Sequence, residues 1–587
     1  MRLKLIPYVA LLAAFGLGAC GEDSLVVKNP TAGGTNQVLG TPDDAEKLLG
    51  SYYRRWYAAL YGGPGANPPT TFEGMANIMS FQNYSSLNNE CQNSRYPFSG
   101  ASNGNSPGNG CAGDQENPYY ILSEVNRVAA NFLAALPGFD LRDPPREGRD
   151  KAFAEFLNGV SLGYLALFYD SASVVVPGQT GIDLGKLSDY KAVMDSAYNS
   201  LDRAAKAIDD GAAAPVADWL PASPSLNAAD FKKLIRSYKA LLRANVARTP
   251  AERAAANWDL VIADAVAGIT ADHMTVTSTT NGPGGGWRRI YDGGSTWHQM
   301  PAFIIGMADT LGNYERWLQT PLAARGAGNV GFFMATPDLR FPQGASRGAQ
   351  QADFKIQDCE VGGAMLPDID STRNKGDFGS TKVQSCKRYF VNRPAGSDQY
   401  TGSGWGWSNY NFNRFHSWVN KGDANSARNG KLLVFPKSVL DLLQAEGKIR
   451  KGDYPGAAAL INVTRVRNGL PAITAFDATS PVPGGTACVP RVPLPPNATT
   501  TACGNMMEAM KWEKRMEEAF VQFGAWFLDA RGWGDLAENT PLFWAVPFKD
   551  LQARGYKVSE IYGAGPGGPA AGNAPNSAAA KSATYGW

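Results

Sequence analysis

The stretch KWEKRMEEAF, Lys511 to Phe520, decides the fold of this 587-residue chain. It lies in the strongest helical pattern of the sequence, where large apolar side chains recur every three or four residues. The apolar positions are Trp512, Met516, Phe520, Phe523, Phe527 and Ala530. The charged positions between them are Glu508, Lys511, Lys514, Arg515 and Glu518. The spacing predicts one helix with an apolar face and an opposite charged face.

The same apolar spacing occurs five times before residue 270. The stripes are Ala45, Leu48, Leu49, Tyr52, Trp56 and Leu60; Phe153, Phe156, Val160, Tyr164 and Leu167; Tyr190, Val193, Ala197, Leu201 and Ile208; Phe231, Leu234, Tyr238, Leu241 and Ala244; and Trp258, Val261, Ala265 and Ile269. Thr41 to Asp44 is typical of a capped helix start, and Thr249 to Glu252 of a capping box. Two further helices are expected near Pro436 and over 454–467. Helices separated by short breaks, without a strict period, predict a mainly α, tetratricopeptide-like scaffold over 41–270.

The N-terminal residues have the order of a secretory signal followed by a lipobox. Arg2 and Lys4 precede the apolar run from Leu5 to Phe15, and Leu17-Gly18-Ala19-Cys20 follows. The run is too short for a permanent membrane span, and no later stretch has about 18 uninterrupted apolar residues. We therefore expect that residues 1–19 are removed, that Cys20 carries lipid and that residues 20–40 form a tether.

Six cysteines remain once Cys20 is assigned to lipid. They are Cys91, Cys111, Cys359, Cys386, Cys488 and Cys503. Six cysteines permit about 15 connectivities, and we expect the three sequential pairs because each brackets a loop-type stretch. Zinc is the alternative, but no Cys-x-x-Cys occurs and the three histidines, His273, His298 and His416, are scattered. No metal and no cofactor are predicted.

Composition excludes one class of partner. The formal charge of +2 includes Arg2 and Lys4, so the mature chain is neutral and has no basic footprint for nucleic acid. With 65 Gly, 38 Pro and 18% charged residues, the composition is typical of a loop-rich extracellular protein.

Between residues 271 and 430 the helical pattern is lost and aromatic residues accumulate in Gly-rich sequence. A loop region of this length is usually functional or disordered, and so many aromatic residues argue against disorder. Flat rings beside planar polar groups are the chemistry that sugar binding uses. The candidate ligand-binding residues are Trp287, Arg288, Tyr291, Trp297, Trp405, Trp407 and Tyr410, with Asn409 and Asn411 as polar partners and a second wall from Asn83, Tyr84, Arg95 and Tyr96. For each ring the alternative is ordinary packing beneath a loop.

The C-terminal motifs resemble those of the SusD/RagB family of outer-membrane nutrient-binding lipoproteins. The motifs are Lys511 to Phe520, Trp526 to Gly534 and Val546-Pro547, supported by Leu460 to Leu470 and Leu25 to Pro30. Ala530 stands where the family usually has Leu, and Gly532 where it usually has Arg. Arg515, Glu517, Asp529 and Arg531 are interpreted as structural, because guanidinium and carboxylate groups can pair across a partly buried helix and turn.

The resemblance implies a function and a location. It implies a lipid-anchored, surface-facing outer-membrane protein that binds an oligosaccharide or peptide and passes it to a SusC-like TonB-dependent transporter. It also implies a SusD-like fold with a loop-rich binding region at 271–430, a C-terminal helical part at 431–550 and an extended tail at 551–587, with 41–587 as one compact unit. The alternatives are a helical scaffold that binds only protein and a glycoside hydrolase. The hydrolase is disfavoured because carboxylate pairs such as Asp368 and Asp370 lie in loop sequence and no catalytic motif occurs.

Overall fold

A computed structural model describes residues 40–61, 72–85, 105, 107, 112–176, 184–277, 298–321, 324–325, 332–352, 360–361, 364–365, 389–392, 408, 410–412, 430–522, 524–557, 579, 581–582 and 584–587. The chain divides into two units, residues 1–48 and residues 49–587. The predicted signal peptide, lipid site and tether lie outside the described residues, apart from residue 40. Among the residues described, no helix combines the length and apolar character that a membrane crossing requires.

Helices dominate the described residues, which confirms the predicted mainly α class. They are α1 (Pro42–Tyr61), α2 (Phe72–Met79), α3 (Ala112–Ala135), α4 (Pro144–Phe168), α5 (Tyr190–Asp209), α6 (Ala228–Asn245), α7 (Pro250–Ala254), α8 (Trp258–Val266), α9 (Ala302–Ile305), α10 (Asn313–Gln319), α11 (Arg347–Ala352), α12 (Lys437–Arg450), α13 (Tyr454–Arg467), α14 (Met506–Glu518), α15 (Ala525–Trp533) and α16 (Phe548–Ala553).

The strands are short and form two-stranded antiparallel pairs. They are β1 (Tyr84–Ser85), β2 (Ser171–Ser173), β3 (Leu187–Asp189), β4 (His273–Thr277), β5 (His298–Gln299), β6 (Glu360–Val361), β7 (Ala364–Met365), β8 (Phe390–Asn392), β9 (Tyr410–Phe412), β10 (Gly430–Phe435), β11 (Arg491–Pro493) and β12 (Thr501–Cys503). Within the described residues the pairs are β1 with β5, β2 with β3, β4 with β10, β6 with β7, β8 with β9 and β11 with β12.

Side-chain caps set where several helices begin. The Asp189 carboxylate accepts from two backbone N–H groups at the start of α5, and Asn227 and Asn257 each accept one at the starts of α6 and α8. The predicted capping box is half formed. The Thr249 hydroxyl accepts from the Glu252 N–H, whereas the Glu252 carboxylate accepts from the N–H of Arg248 rather than of Thr249.

Sequential helices pack against one another to form the scaffold. Helix α4 contacts α3, α5 and α6; α8 contacts α6 and α12; and α12 contacts α13 and α14. Glycines permit the closest approach on α4. A Cβ on Gly159 would lie 2.6 Å from Leu201 of α5, and one on Gly163 would lie 2.6 Å from Leu242 of α6. The first half of the described chain is therefore a stack of helices built around α4.

The C-terminal helix predicted as continuous is two helices, α14 and α15. The chain leaves helical geometry at Phe520, where φ is +54°, and begins α15 after Gly524, where φ is +52°. A Cβ on Gly524 would lie 2.7 Å from the Ala76 Cβ, so glycine suits both the backbone angle and the contact with α2. Phe520 stacks on Phe412 of β9 at 4.6 Å between ring centroids, which places the break against the loop region.

The charged face of α14 is buried, although such a face usually points to water. Lys511, Lys514, Arg515 and Glu518 are each at most 4% exposed. Each of these side chains forms an ion pair inside the protein. The charges on α14 therefore join helices to one another instead of contacting solvent.

The last described residues belong to the core. Residues 558–578 of the predicted extended tail lie outside the described residues, but Tyr585 is 0% and Trp587 7% exposed. The Trp587 ring packs edge-on against Phe81 and Phe303, at centroid distances of 6.0 and 5.5 Å. Its indole N–H donates to the Asp535 carbonyl. Residues at both ends of the sequence therefore share one apolar cluster.

Candidate binding site

The described ends of the predicted binding loops meet at one place. Strand β1, which contains Tyr84, pairs with β5, the described segment that follows Trp297 in sequence. The next residue, Met300, donates its N–H to the Tyr410 carbonyl at 3.0 Å and accepts from the Ser408 N–H at 3.1 Å. The structure thus brings together the stems of three segments that are far apart in sequence: the N-terminal wall, the 278–297 loop and the loop before Ser408.

A buried polar network fixes these stems. The Tyr410 hydroxyl hydrogen-bonds Gln350 Oε1 at 2.7 Å, and Gln350 Nε2 donates to the Met334 carbonyl at 2.7 Å. The Asn392 Nδ2 donates to the same Gln350 Oε1 at 2.9 Å. All three polar side chains are nearly or completely buried. These hydrogen bonds link α11, β8 and β9 to one another, although Asn392 Oδ1 has no hydrogen-bond partner among the described residues.

Tyr410 is part of this framework. It is 0% exposed and packs against Phe332 and Phe341. Asn83 and Asn411 are also buried, at 1% and 4% exposure. In this structure all three side chains are packed inside the framework, and their contact with ligand stays a prediction. The sequence pattern did not separate these residues from their neighbours because their partners are distant in sequence.

The other predicted ligand contacts lie mostly outside the described residues. Tyr84 belongs to β1, where only its backbone is described. Outside the described part of the chain are Trp287, Arg288, Tyr291, Trp297, Trp405, Trp407, Asn409, Arg95 and Tyr96. Trp297 and Trp407 nevertheless precede described stem residues, His298 and Ser408, by one position each.

One predicted disulfide, Cys488–Cys503, is present. It brackets the β11–β12 hairpin, in which Arg491 pairs with Cys503. Cys20, Cys91, Cys111, Cys359 and Cys386 lie outside the described residues, so their lipid and disulfide assignments stay predictions.

The C-terminal motif residues are structural, as interpreted, but they do not pair with one another. Arg515 pairs with Asp535 at 2.5 Å, and Glu517 accepts from Arg467 at 2.7 Å. Asp529 pairs with Arg253 and with Lys514. The fourth residue, Arg531, donates to the backbone carbonyls of Leu167, Asn245 and Leu542. The motif therefore ties the C-terminal helices to the N-terminal stack.

Arg340 and Gln350 contribute to the framework and were not singled out by sequence. Arg340 is 0% exposed and pairs with Asp338 at 2.7 Å and Glu513 at 2.9 Å. Its backbone carbonyl accepts from the N–H groups of Tyr389 and Phe390, at the start of β8. The Asp338-x-Arg340 spacing in the sequence indicates a local ion pair. No sequence rule predicts that Arg340 also pairs with Glu513, which is 173 residues away.

Within the described residues, no cluster of three or more His, Cys, Asp or Glu side chains could hold a metal ion. Asp368 and Asp370, the loop carboxylates considered for hydrolysis, lie outside those residues.

Comparison with known proteins supports the fold. No protein-family model matches the sequence, and no curated protein matches it. A SusD superfamily protein from Bacteroides vulgatus is similar in structure, with a TM-score of 0.50 and 14% identity over 87% of this chain and 97% of that chain. A SusD superfamily protein from Parabacteroides distasonis has a TM-score of 0.47 and 12% identity over 87% and 97%. The first likeness confirms the SusD-like fold that the C-terminal motifs implied.

Proposed function

We propose that this protein is a lipid-anchored outer-membrane protein that binds a glycan nutrient and delivers it to a partner TonB-dependent transporter. The observation that carries the proposal is the meeting of the loop stems at β1, β5 and β9. These stems lead into the segments that contain Trp297 and Trp407. Aromatic side chains from separate loops, held in place by a rigid framework, can form a surface that contacts sugar rings.

Binding without bond cleavage is the proposed chemistry. The Tyr410–Gln350–Asn392 network holds loop stems in register, and rigid support of this kind lowers the entropy lost when the loops bind ligand. Glycosidic cleavage would need two carboxylates placed across a cleft. The sequence of residues 271–430 contains the aromatic and amide side chains that sugar binding uses, and its carboxylates, such as Asp368 and Asp370, occur without a catalytic motif.

Anchoring and delivery follow from the proposed lipid on Cys20. A lipid tether of about 20 residues would keep bound glycan at high local concentration beside a transporter in the same membrane. The SusD-like fold supports this part of the proposal, since the family that the motifs resemble works beside such a transporter.

The first experiment separates binding from catalysis. The purified full chain is incubated with laminarin, amylopectin, xylan and a casein peptide digest, and both retention and product size are measured. We expect a polysaccharide to be retained at unchanged length. Shortened chains would indicate an enzyme, retention of peptides alone would indicate a peptide carrier, and no retention would contradict nutrient binding.

The second experiment tests anchoring and the partner. An affinity-tagged copy is expressed in its native membrane beside the variant Cys20→Ala, and each is purified in mild detergent. We expect the unchanged protein in the membrane fraction together with a large barrel protein, and the variant in the soluble fraction. Recovery of the unchanged protein without a barrel protein would contradict the delivery step.

A further inference from the structure

The helical stack contains an open cavity of about 430 Å³ that the proposed function does not use. It lies between α5, α6 and α7, and its lining includes Tyr190, Met194, Tyr198, Arg243 and Asn257. A concave, mostly apolar hollow of this size with a few polar groups is the usual form of a small-molecule site. All of its lining residues are described.

Three of the four charged side chains that line the cavity, Lys191, Arg243 and Glu252, already have partners. Glu252 accepts from the Tyr190 hydroxyl at 2.7 Å, and its carboxylate lies 3.4 Å from Lys191 Nζ. Arg243 donates to Asp264 at 2.8 Å, and its guanidinium lies 4.5 Å from the centre of the Tyr198 ring. Asp195 is therefore the charged side chain of the lining that is left for a ligand, and its carboxylate can accept hydrogen bonds from the hydroxyl groups of a neutral sugar.

The groups left for a ligand are Tyr198, Asp195 and Asn257. Within the described part of the chain, neither the Tyr198 hydroxyl nor the Asp195 carboxylate has a hydrogen-bond partner. Asn257 uses Oδ1 to cap α8, which leaves its Nδ2 as a donor. Burial raises the pKa of Tyr198, so its hydroxyl stays protonated and can donate. Together they offer donors and an acceptor beside an apolar floor.

We propose that this cavity is a second carbohydrate site, one that takes a single neutral sugar ring. An apolar floor suits the C–H face of a sugar, and a carboxylate, a phenol and an amide suit its hydroxyl edge. The ligand class rests on the proposed function, whereas the site itself rests on α5, α6 and α7. It would hold the end of a glycan, or a released monosaccharide, on the scaffold.

Binding of monosaccharides tests the proposal. Glucose, galactose and N-acetylglucosamine are each titrated into the purified full chain and observed by saturation-transfer NMR. The variants are Tyr198→Phe, which keeps the ring, and Asp195→Asn, which keeps the shape. Asp210→Asn is the matched control, because Asp210 follows the same helix and pairs with Lys206 outside the cavity. Unfolding curves verify that every variant folds.

At least one sugar is expected to bind, with Kd raised roughly tenfold in Asp195→Asn, somewhat less in Tyr198→Phe, and unchanged in Asp210→Asn. No signal from any of the three sugars, or equal binding by all variants, would overturn the second site. The loop variant Trp405→Ala/Trp407→Ala separates the two proposals. If this variant no longer retains polysaccharide but still binds the monosaccharide, both proposed sites are supported. If the unchanged protein retains polysaccharide but no monosaccharide, only the cavity proposal fails.

Discussion

Arg253 and Glu446 form a two-point ion pair with neither side chain exposed to solvent. Arg253 Nε lies 3.0 Å from Glu446 Oε1, and Nη2 lies 2.6 Å from Oε2, although the residues are 193 positions apart. The same Nη2 also reaches Asp529 at 3.1 Å. One guanidinium thus joins α7, α12 and α15.

Replacing Arg253 by Met should lower the free energy of unfolding by about 3–5 kcal/mol, because Glu446 and Asp529 each lose a fully buried ion-pair partner, although Arg450 still pairs with Glu446 and Lys514 with Asp529. Urea denaturation measures the effect. The matched control is Arg142→Met, since Arg142 forms an exposed pair with Asp140 and exposed pairs contribute little. A urea midpoint for Arg253→Met equal to that of Arg142→Met would show that the buried ion pair does not stabilise the fold.

The same pair predicts a pH dependence. Burial alone would raise the pKa of Glu446, but the guanidinium of Arg253 outweighs it and lowers the pKa to about 2, from 4.5. The folded pKa lies below the unfolded one, so the contribution is present above about pH 4.5 and is lost as the pH falls toward 2. A shift of this size corresponds to about 3 kcal/mol. The stability difference between the unchanged protein and Glu446→Gln should therefore shrink between about pH 6 and about pH 3; a constant difference would contradict the assignment.

Tyr410→Phe should weaken both the framework and the binding it supports. The hydroxyl bonds to Gln350 and Met334 are lost inside the core, which costs about 1–3 kcal/mol. We expect faster hydrogen exchange in β8 and β9 and weaker polysaccharide retention. Tyr556→Phe, at a residue 46% exposed, is the control. Unchanged retention by Tyr410→Phe would show that the network does not position the loops.

Trp405→Ala/Trp407→Ala should abolish polysaccharide retention and leave the unfolding midpoint close to that of the unchanged protein. The reason is that the proposed rings contact ligand rather than the core. Affinity electrophoresis measures retention. Trp512→Ala is the contrasting variant, because Trp512 is 1% exposed and should lower stability by about 3–5 kcal/mol. A large stability loss in the loop variant would place its rings in the interior.

Removing the Cys488–Cys503 disulfide by the double change to Ala should lower the free energy of unfolding by about 3 kcal/mol. The bond closes a loop with a sequence separation of 15, and most of its effect comes from restricting the unfolded chain. Unfolding of the unchanged protein with and without dithiothreitol gives a second measurement. If the double variant and the unchanged protein unfold at the same denaturant concentration, the hairpin needs no covalent link.

Local spacing was sufficient to predict many helices but not the break between α14 and α15. Stripes such as Phe231 to Ala244 lie on one helix because their period of 3.6 residues is a local property. The apolar residues from Trp512 to Ala530 keep the helical period through the break, so their spacing predicts one helix where the structure has two. Phe520, which has a positive φ, stacks on Phe412, and local spacing does not predict a contact between residues so far apart in sequence.

Helix α3 was not predicted, although apolar residues recur at helical spacing in its sequence. Tyr119, Leu122, Val125, Ala129 and Phe132 recur at helical steps and are buried. Pro118 within the helix weakens that pattern at its start.

The candidate site was harder to predict than the fold. The accumulation of aromatic residues in the sequence did not distinguish Tyr410, which lies in the core, from its neighbours in sequence. Burial of that ring depends on Met334 and Gln350, whose positions only the complete fold determines.

The cluster formed by Phe81, Phe303 and Trp587 has a consequence for the order in which the protein matures. These rings contact one another across nearly the whole sequence, so they assemble late, after long stretches of chain have closed. Phe81 lies three positions before β1, and Phe303 lies four positions after β5. The sequential helix pairs would therefore form before the stems β1 and β5, which become fixed only once Trp587 has joined the cluster.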